Sequence, residues 1–140
     1  MNTPEKIAYT AKAVVTGGRN GQGTTDDKAV DVELRIPTEM GGAGGGANPE
    51  QLFAVGYGAC FQGALRLAGK EFGVDTADST VNTEVGIGKE GESFGLSVKI
   101  SVSLPGVEQD TAQQVVDRTH ELCPYSKATR GNIPVEVVAV

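Results

Sequence analysis

The order of local signals along the chain predicts an α+β fold: strands, a long apolar helix, two more strands, an amphipathic helix and a closing strand, with no repeating βαβ unit. Three observations carry that reading. Val-, Ala- and Thr-rich runs that partly alternate are punctuated by glycine clusters. Asn48, Pro49, Glu50 and Gln51 stack helix-start signals ahead of an uncharged stretch. Ala112, Val115, Val116, Thr119 and Leu122 recur at helical spacing. The 140 residues read as one domain, residues 1–140, a length that buries about 70% of the unfolded chain's surface. With 20 glycines and no tryptophan, the core must come from Val, Leu, Ile and Ala, and tight turns are expected.

Taken in order, Ile7–Thr16 and Lys28–Ile36 are predicted strands of a hairpin, with Gly17, Gly18, Asn20, Gly21 and Gly23 in a loose loop between them. Gly41, Gly42 and Gly44 to Gly46 form a flexible run that stops at the helix start. There Asn48 is the cap, Pro49 takes the first helical position, Glu50 sits in the positive first turn and Gln51 completes a pattern like a capping box. The helix, about Pro49–Lys70, carries no charge between Glu50 and Arg66, and Ala54, Gly56, Gly58, Ala59, Gly63 and Ala64 interrupt its large residues. Apolar almost all round, it must be covered on every side, and its glycines point to close packing against another backbone. That calls for an obligate dimer with this helix at its centre. Thr80–Gly88 and Phe94–Leu104 form a second predicted hairpin, turning at Lys89, Glu90, Gly91 and Glu92. A helix over about Val107–Leu122 is stopped by Pro124, because the pre-proline residue Cys123 is pushed out of the helical region. His120 falls on the polar side of that helix and is expected to face water. Ile133–Val140 is the closing strand.

The net charge of −6 argues against a phosphate-tracking surface, so nucleic acid is not an expected partner. The amino terminus, MNTPEKIAYT, lacks the layout of a secretory signal, and no segment approaches the ~20 apolar residues of a membrane span. A cytoplasmic setting is expected, where thiols stay reduced and a disulfide is more often transient than structural. Gly42, Gly44 and Ala47 formally satisfy G-x-G-x-x-A, but no βαβ pattern surrounds them and Glu50 would repel a pyrophosphate.

What remains as chemistry is Cys60 and Cys123. They are too far apart for C-x-x-C, and with the single histidine they make a poor zinc set, so no metal site is expected. They are either a peroxidatic and resolving thiol pair or two inert buried residues. A reactive Cys60 in an apolar setting needs a cation to favour its thiolate. Arg19, in the glycine-rich loop, is a candidate, and Glu50 could hold it by a bidentate ion pair. Periodicity does not select Arg19 over Arg66, Arg118 or Arg130. Glu50 is equally explained as a helix-dipole partner, and Arg19 as a solvated loop residue.

Three segments, TGGRNG at Thr16 to Gly21, GGAGGGANPEQLFAVGYGACFQGAL at Gly41 to Leu65 and CPYSKATRGN at Cys123 to Asn132, resemble the organic hydroperoxide resistance (Ohr) branch of the Ohr/OsmC family. The pieces EVGIG and FGLSVKISVSLPG resemble it too, so the likeness runs end to end. It implies antiparallel sheets around two central helices in an intertwined homodimer, with sites at the subunit interface. It also implies a thiol peroxidase that reduces organic hydroperoxides, fatty-acid hydroperoxides included, to alcohols without metal, haem, flavin or selenium, and therefore without a cofactor. Cys60 matches the peroxidatic thiolate, Cys123 the resolving thiol that closes a disulfide with it, Arg19 the arginine that stabilises the thiolate, and Glu50 the carboxylate that orients that arginine. The implied reductant is dihydrolipoamide or a lipoylated protein. Lys127 stands where the family commonly has Asn, outside these four positions. The competing expectations are a peroxide sensor or small-lipid binding module of the same fold, and, weakened by the lack of C-x-x-C, a general dithiol oxidoreductase.

Overall fold

Glycines shape the amino-terminal part of the chain. In the computed structural model, which describes all 140 residues, the chain divides into two compact units, Met1–Leu52 and Phe53–Val140. In the first, Ala13–Thr16 (β1), Gln22–Thr25 (β2) and Asp31–Glu33 (β3) pair antiparallel in that order, with Thr16 opposite Gln22 and Gln22 opposite Glu33. The expected single hairpin is thus a three-stranded meander, and the glycine segment is no loose loop. It closes through one 3-10 turn, Gly18–Asn20. Gly21 passes so near β1 that a side chain there would place its Cβ 1.7 Å from the Thr16 carbonyl oxygen, which only glycine avoids. Freed by that tight turn, Gln22–Thr25 becomes a strand, and a second turn follows, pinned by Asp27 accepting from the Ala29 N–H. The strand expected over Ile7–Thr16 begins only at Ala13, and Ile7 and Tyr9 lie exposed.

The link from this sheet to the next helix is fixed by backbone pairing. Ala47 donates to the Glu33 carbonyl (2.8 Å) and accepts from the Arg35 N–H (2.9 Å), a parallel bridge beside buried Leu34. Helix α1, Pro49–Glu71, starts two residues later. Its capping box is complete: the Gln51 N–H donates to Asn48 Oδ1 (2.9 Å) and the Asn48 N–H to Gln51 Oε1 (3.1 Å).

In the second unit, Thr80–Glu90 (β4) and Ser93–Ser103 (β5) form the expected hairpin, while Val135–Ala139 (β6) pairs parallel to β5, so this sheet is mixed. A parallel neighbour requires a crossover, supplied by α2 (Gln109–Leu122) and α3 (Pro124–Thr129). The last helix was not expected. Pro124 does end α2, as predicted, but it also stands at the first position of a new helix, where its missing N–H costs nothing.

Along β5, Val98, Ile100 and Val102 point into the core and Ser97 and Lys99 point out. Tyr57, Phe61, Ala64, Leu65 and Ala68 of α1 pack there with Val115, Val116 and Cys123. Their spacing is that of one helix face. The opposite side of α1 is apolar but uncovered in the single chain, with Val55 73% and Leu67 56% exposed. Close backbone packing of the α1 glycines is met at Gly69, where a Cβ would lie 2.9 Å from the Val74 carbonyl oxygen, while a Cβ at Gly56 would touch the Tyr125 side chain, one at Gly58 that of Thr83, and one at Gly63 nothing. No helix is long and apolar enough to cross a membrane.

Asn48→Ala should lower stability by about 1 kcal/mol, because it removes the acceptor for the Gln51 N–H, one of the orphan donors of α1. Urea unfolding should show this, with Asn48→Asp close to the parent.

Candidate active site

Two constellations hold the four residues singled out in the sequence. In the amino-terminal unit, Arg19 lies in the 3-10 turn between β1 and β2, and Glu50 in the first turn of α1. The Ala47 bridge and the capping box fix where that turn begins. Arg19 Nη1 donates to Glu50 Oε2 (2.9 Å) and Nη2 to Oε1 (2.7 Å), a two-pronged ion pair. Their side chains are 37% and 12% exposed, so Arg19 is not a freely solvated loop residue. The hydrogen bonds from Arg19 hold the Glu50 carboxyl below its ordinary range against the opposing cost of burial. Gly21, just beyond Arg19, accepts from the Leu34 N–H (2.8 Å) and from Arg35 Nη1 (3.3 Å), which ties the turn to β3.

In the carboxy-terminal unit, Cys60 of α1 and Cys123, between α2 and α3, are free thiols with their sulfurs 3.7 Å apart. Cys123 is fully buried and Cys60 half-buried. Phe53, Gly56, Tyr57 and Cys60 fall on one face of α1. Phe53 and Tyr57 meet Tyr125 of α3, with the Phe53 and Tyr125 rings stacked at 6.0 Å. Burial pushes the Cys60 thiol up; the Tyr125 N–H, in the first turn of α3, donates to the sulfur and opposes this, and neighbouring Cys123 pushes it up further. Tyr125 was missed in the sequence because the contact is made by backbone, which leaves no side-chain signature. Grooves on the outer face of the sheet (Glu84, Lys99, Glu136) and beside α1 and β4 (Ala54, Gly58, Thr83) are lined by neither cysteine.

His120 is not the water-facing residue expected. Half-buried, its Nδ1 lies 2.8 Å from Ser126 Oγ, and burial, reinforced by Arg130, lowers its pKa. Lys127 is exposed on α3. Of the other arginines considered, Arg118 is engaged by Glu71 and Glu121, and Arg130 donates to the His120 carbonyl. No group of three or more His, Cys, Asp or Glu side chains is arranged to hold a metal ion.

The site is thus a pair of thiols at near-contact on an α+β scaffold, and comparison places the chain. Residues 41–138 match the model of the OsmC-like protein family. The organic hydroperoxide resistance protein of Xanthomonas axonopodis pv. citri is 47% identical over 137 residues, 96% of each chain. The crystal structure of the organic hydroperoxide resistance protein OhrB of Bacillus subtilis superposes with a TM-score of 0.87 at 39% identity, covering 96% of this chain and all of that one. That of an organic hydroperoxide resistance protein from Elizabethkingia anophelis gives 0.89 at 46% identity, covering 96% and 97%. The chain belongs to the Ohr/OsmC family.

Because Arg19 depresses the Glu50 pKa, the pair's contribution to stability is fully present above the unfolded carboxyl's pKa and is lost as pH falls through the folded value. Glu50→Gln should therefore lower the urea midpoint near neutral pH and match the parent in acid, where Glu50 itself is protonated.

Proposed function

We propose that this chain is a thiol peroxidase that confers organic hydroperoxide resistance by reducing alkyl and fatty-acid hydroperoxides to alcohols. The observation that carries it is the 3.7 Å approach of the Cys60 and Cys123 sulfurs, one partly accessible and one sealed. The names of the relatives supply the substrate class. In the first step the Cys60 thiolate attacks an oxygen of the O–O bond. That bond breaks, the sulfur is oxidised by two electrons to a sulfenic acid, and the alkoxide leaves with a proton as the alcohol. In the second, the Cys123 sulfur displaces the hydroxyl from Cys60, releasing water and closing a disulfide. A dithiol of the dihydrolipoamide type then reduces that disulfide and is itself oxidised to a cyclic disulfide.

Burial works against the first step, since it favours the neutral thiol. Arg19 is the proposed cation that reverses this, and Glu50 the carboxylate that aims it; the two-pronged ion pair and the position of both residues in family-like segments support these roles. A half-buried sulfur beside aromatic rings favours an alkyl peroxide over small, strongly hydrated hydrogen peroxide. The uncovered apolar side of α1, together with β4 as an 11-residue edge strand, supports a homodimer as the working form. A reducing cytoplasm is the proposed setting.

Consumption of cumene hydroperoxide and of hydrogen peroxide, with dihydrolipoamide in excess, tests the proposal. Sustained turnover that prefers the alkyl peroxide is expected. Cys60→Ser should abolish it, and Cys123→Ser should consume about one peroxide per chain and stall. The same stall in the parent would make the protein a sensor rather than an enzyme. Arg19→Ala should slow the peroxide step at neutral pH by about two orders of magnitude or more, the scale on which a preorganised charge stabilises a reacting centre. Light scattering at micromolar concentration should find a dimer; a stable, active monomer would remove the proposed assembly.

A further inference from the structure

Cys123 occupies a one-residue break between two helices. Its backbone is extended (φ −63°, ψ 124°), its N–H bonds to the Thr119 carbonyl (2.9 Å), and its own carbonyl accepts from the Lys127 N–H (3.0 Å). Where its sulfur points therefore depends on how α3 is set against α2. A six-residue helix has no stability of its own and must be held from outside.

Ser126 supplies that hold. Its fully buried Oγ lies 2.9 Å from Tyr57 Oη and 2.8 Å from His120 Nδ1, and Tyr57 Oη also reaches Thr129 Oγ1 at 3.0 Å. The sequence positions make the arrangement specific. Tyr57 is three residues before Cys60 on α1, His120 three before Cys123 on α2, and Ser126 three after Cys123 on α3. One hydroxyl thus joins the helix that carries the first sulfur to both helices that flank the second. Arg130 adds a tie by donating to the His120 carbonyl.

One placement of protons satisfies this whole chain of bonds. Thr129 Oγ1 lies 3.1 Å from the Tyr125 carbonyl and 3.3 Å from that of Ser126, and carbonyls only accept. With the single Thr129 proton given there, Tyr57 donates to Thr129, Ser126 donates to Tyr57, and the proton between His120 and Ser126 must come from Nδ1. Every hydroxyl is then satisfied, and the bridge holds whether the ring is neutral or charged.

We propose that Ser126, bridged to His120 and Tyr57, is a positioning residue for disulfide closure, setting the two sulfurs in register so that Cys123 resolves the oxidised Cys60 rapidly. The inference rests on the thiol-pair function above. The sulfurs stand 3.7 Å apart, against the ~2.05 Å of a disulfide, so closure needs side-chain rotation rather than rebuilding of α3. Loosening the bridge lets α3 drift and lowers the fraction of chains with the sulfurs aligned. The attack of Cys60 on peroxide does not involve Cys123 and feels α3 only through the Tyr125 N–H, so it changes far less than closure.

The test is a quenched-flow reaction of the reduced chain with one equivalent of cumene hydroperoxide, following peroxide loss and disulfide formation separately, the latter by intact mass with a sulfenic-acid trap. Ser126→Ala and His120→Leu should consume peroxide within about threefold of the parental rate but close the disulfide about ten- to a hundredfold more slowly, the scale of a misplacement near 1 Å, with trapped sulfenic acid as the evidence. His120→Asn, whose amide nitrogen can replace Nδ1–H, should restore closure. His120 is only half-buried, so the Leu and Asn pair carries the test even if Ser126→Ala does not fold. Parental closure rates in Ser126→Ala and His120→Leu overturn the inference alone. Equal slowing of both steps without rescue by Asn overturns it too, since it marks a general loss of structure. Absence of any disulfide in the parent instead removes the thiol-pair function and this inference with it.

Discussion

Desolvation of one sulfur is the constraint around which the functional geometry is organised. Cys60 lies half-buried on an apolar helix face, against a second, sealed thiol, and both circumstances favour its neutral form. The same burial makes the surroundings of the sulfur apolar and sets the second thiol 3.7 Å away. In the proposed peroxidase, preference for an oily peroxide and ease of disulfide closure come at the expense of acidity, which charge must restore. Within the carboxy-terminal unit a single backbone N–H, from Tyr125, works in that direction. The proposed remainder comes from a guanidinium held by Glu50, and a two-pronged carboxylate is well suited to the task, because it fixes the plane of the guanidinium as well as its place.

Local structure explains why each group stands where it does. The Arg19 turn is tight because Gly21 tolerates an approach that no side chain could. Glu50 is placed by a helix start that is secured twice, through the Ala47 bridge to β3 and the Asn48–Gln51 capping box. The second thiol is delivered by a proline that ends one helix and begins another, so that Cys123 is the only residue between them.

Signals confined to a few neighbouring residues were legible in the sequence. The capping box at Asn48–Gln51 needs no tertiary contact, and the start of α1 and the β4–β5 hairpin followed from such patterns. The Arg19–Glu50 ion pair was legible only as one option, because partners 31 residues apart are joined by folding that periodicity does not encode. α3 was missed because Pro124 carries two meanings, and its role as a stop hid its role as a start. His120 was assigned to water from the face it occupies on α2, yet α3 folds back and buries that side against Ser126. The parallel pairing of β6 was likewise invisible, since strand direction is set by the crossover and not by composition. The site residues themselves emerged from the family resemblance of whole segments, since two isolated cysteines read from chemistry alone remained open to an inert role.

The central claim is that Cys60, pushed up by burial, is nonetheless ionised at neutral pH by Arg19. The direct measurement is the thiolate titration of Cys60 in a Cys123→Ser background, read from the pH dependence of alkylation, with and without Arg19→Ala. A midpoint well below the ordinary thiol range that rises by more than one unit when Arg19 is removed is the predicted result. A midpoint at or above the ordinary thiol range in the chain that retains Arg19 would contradict it.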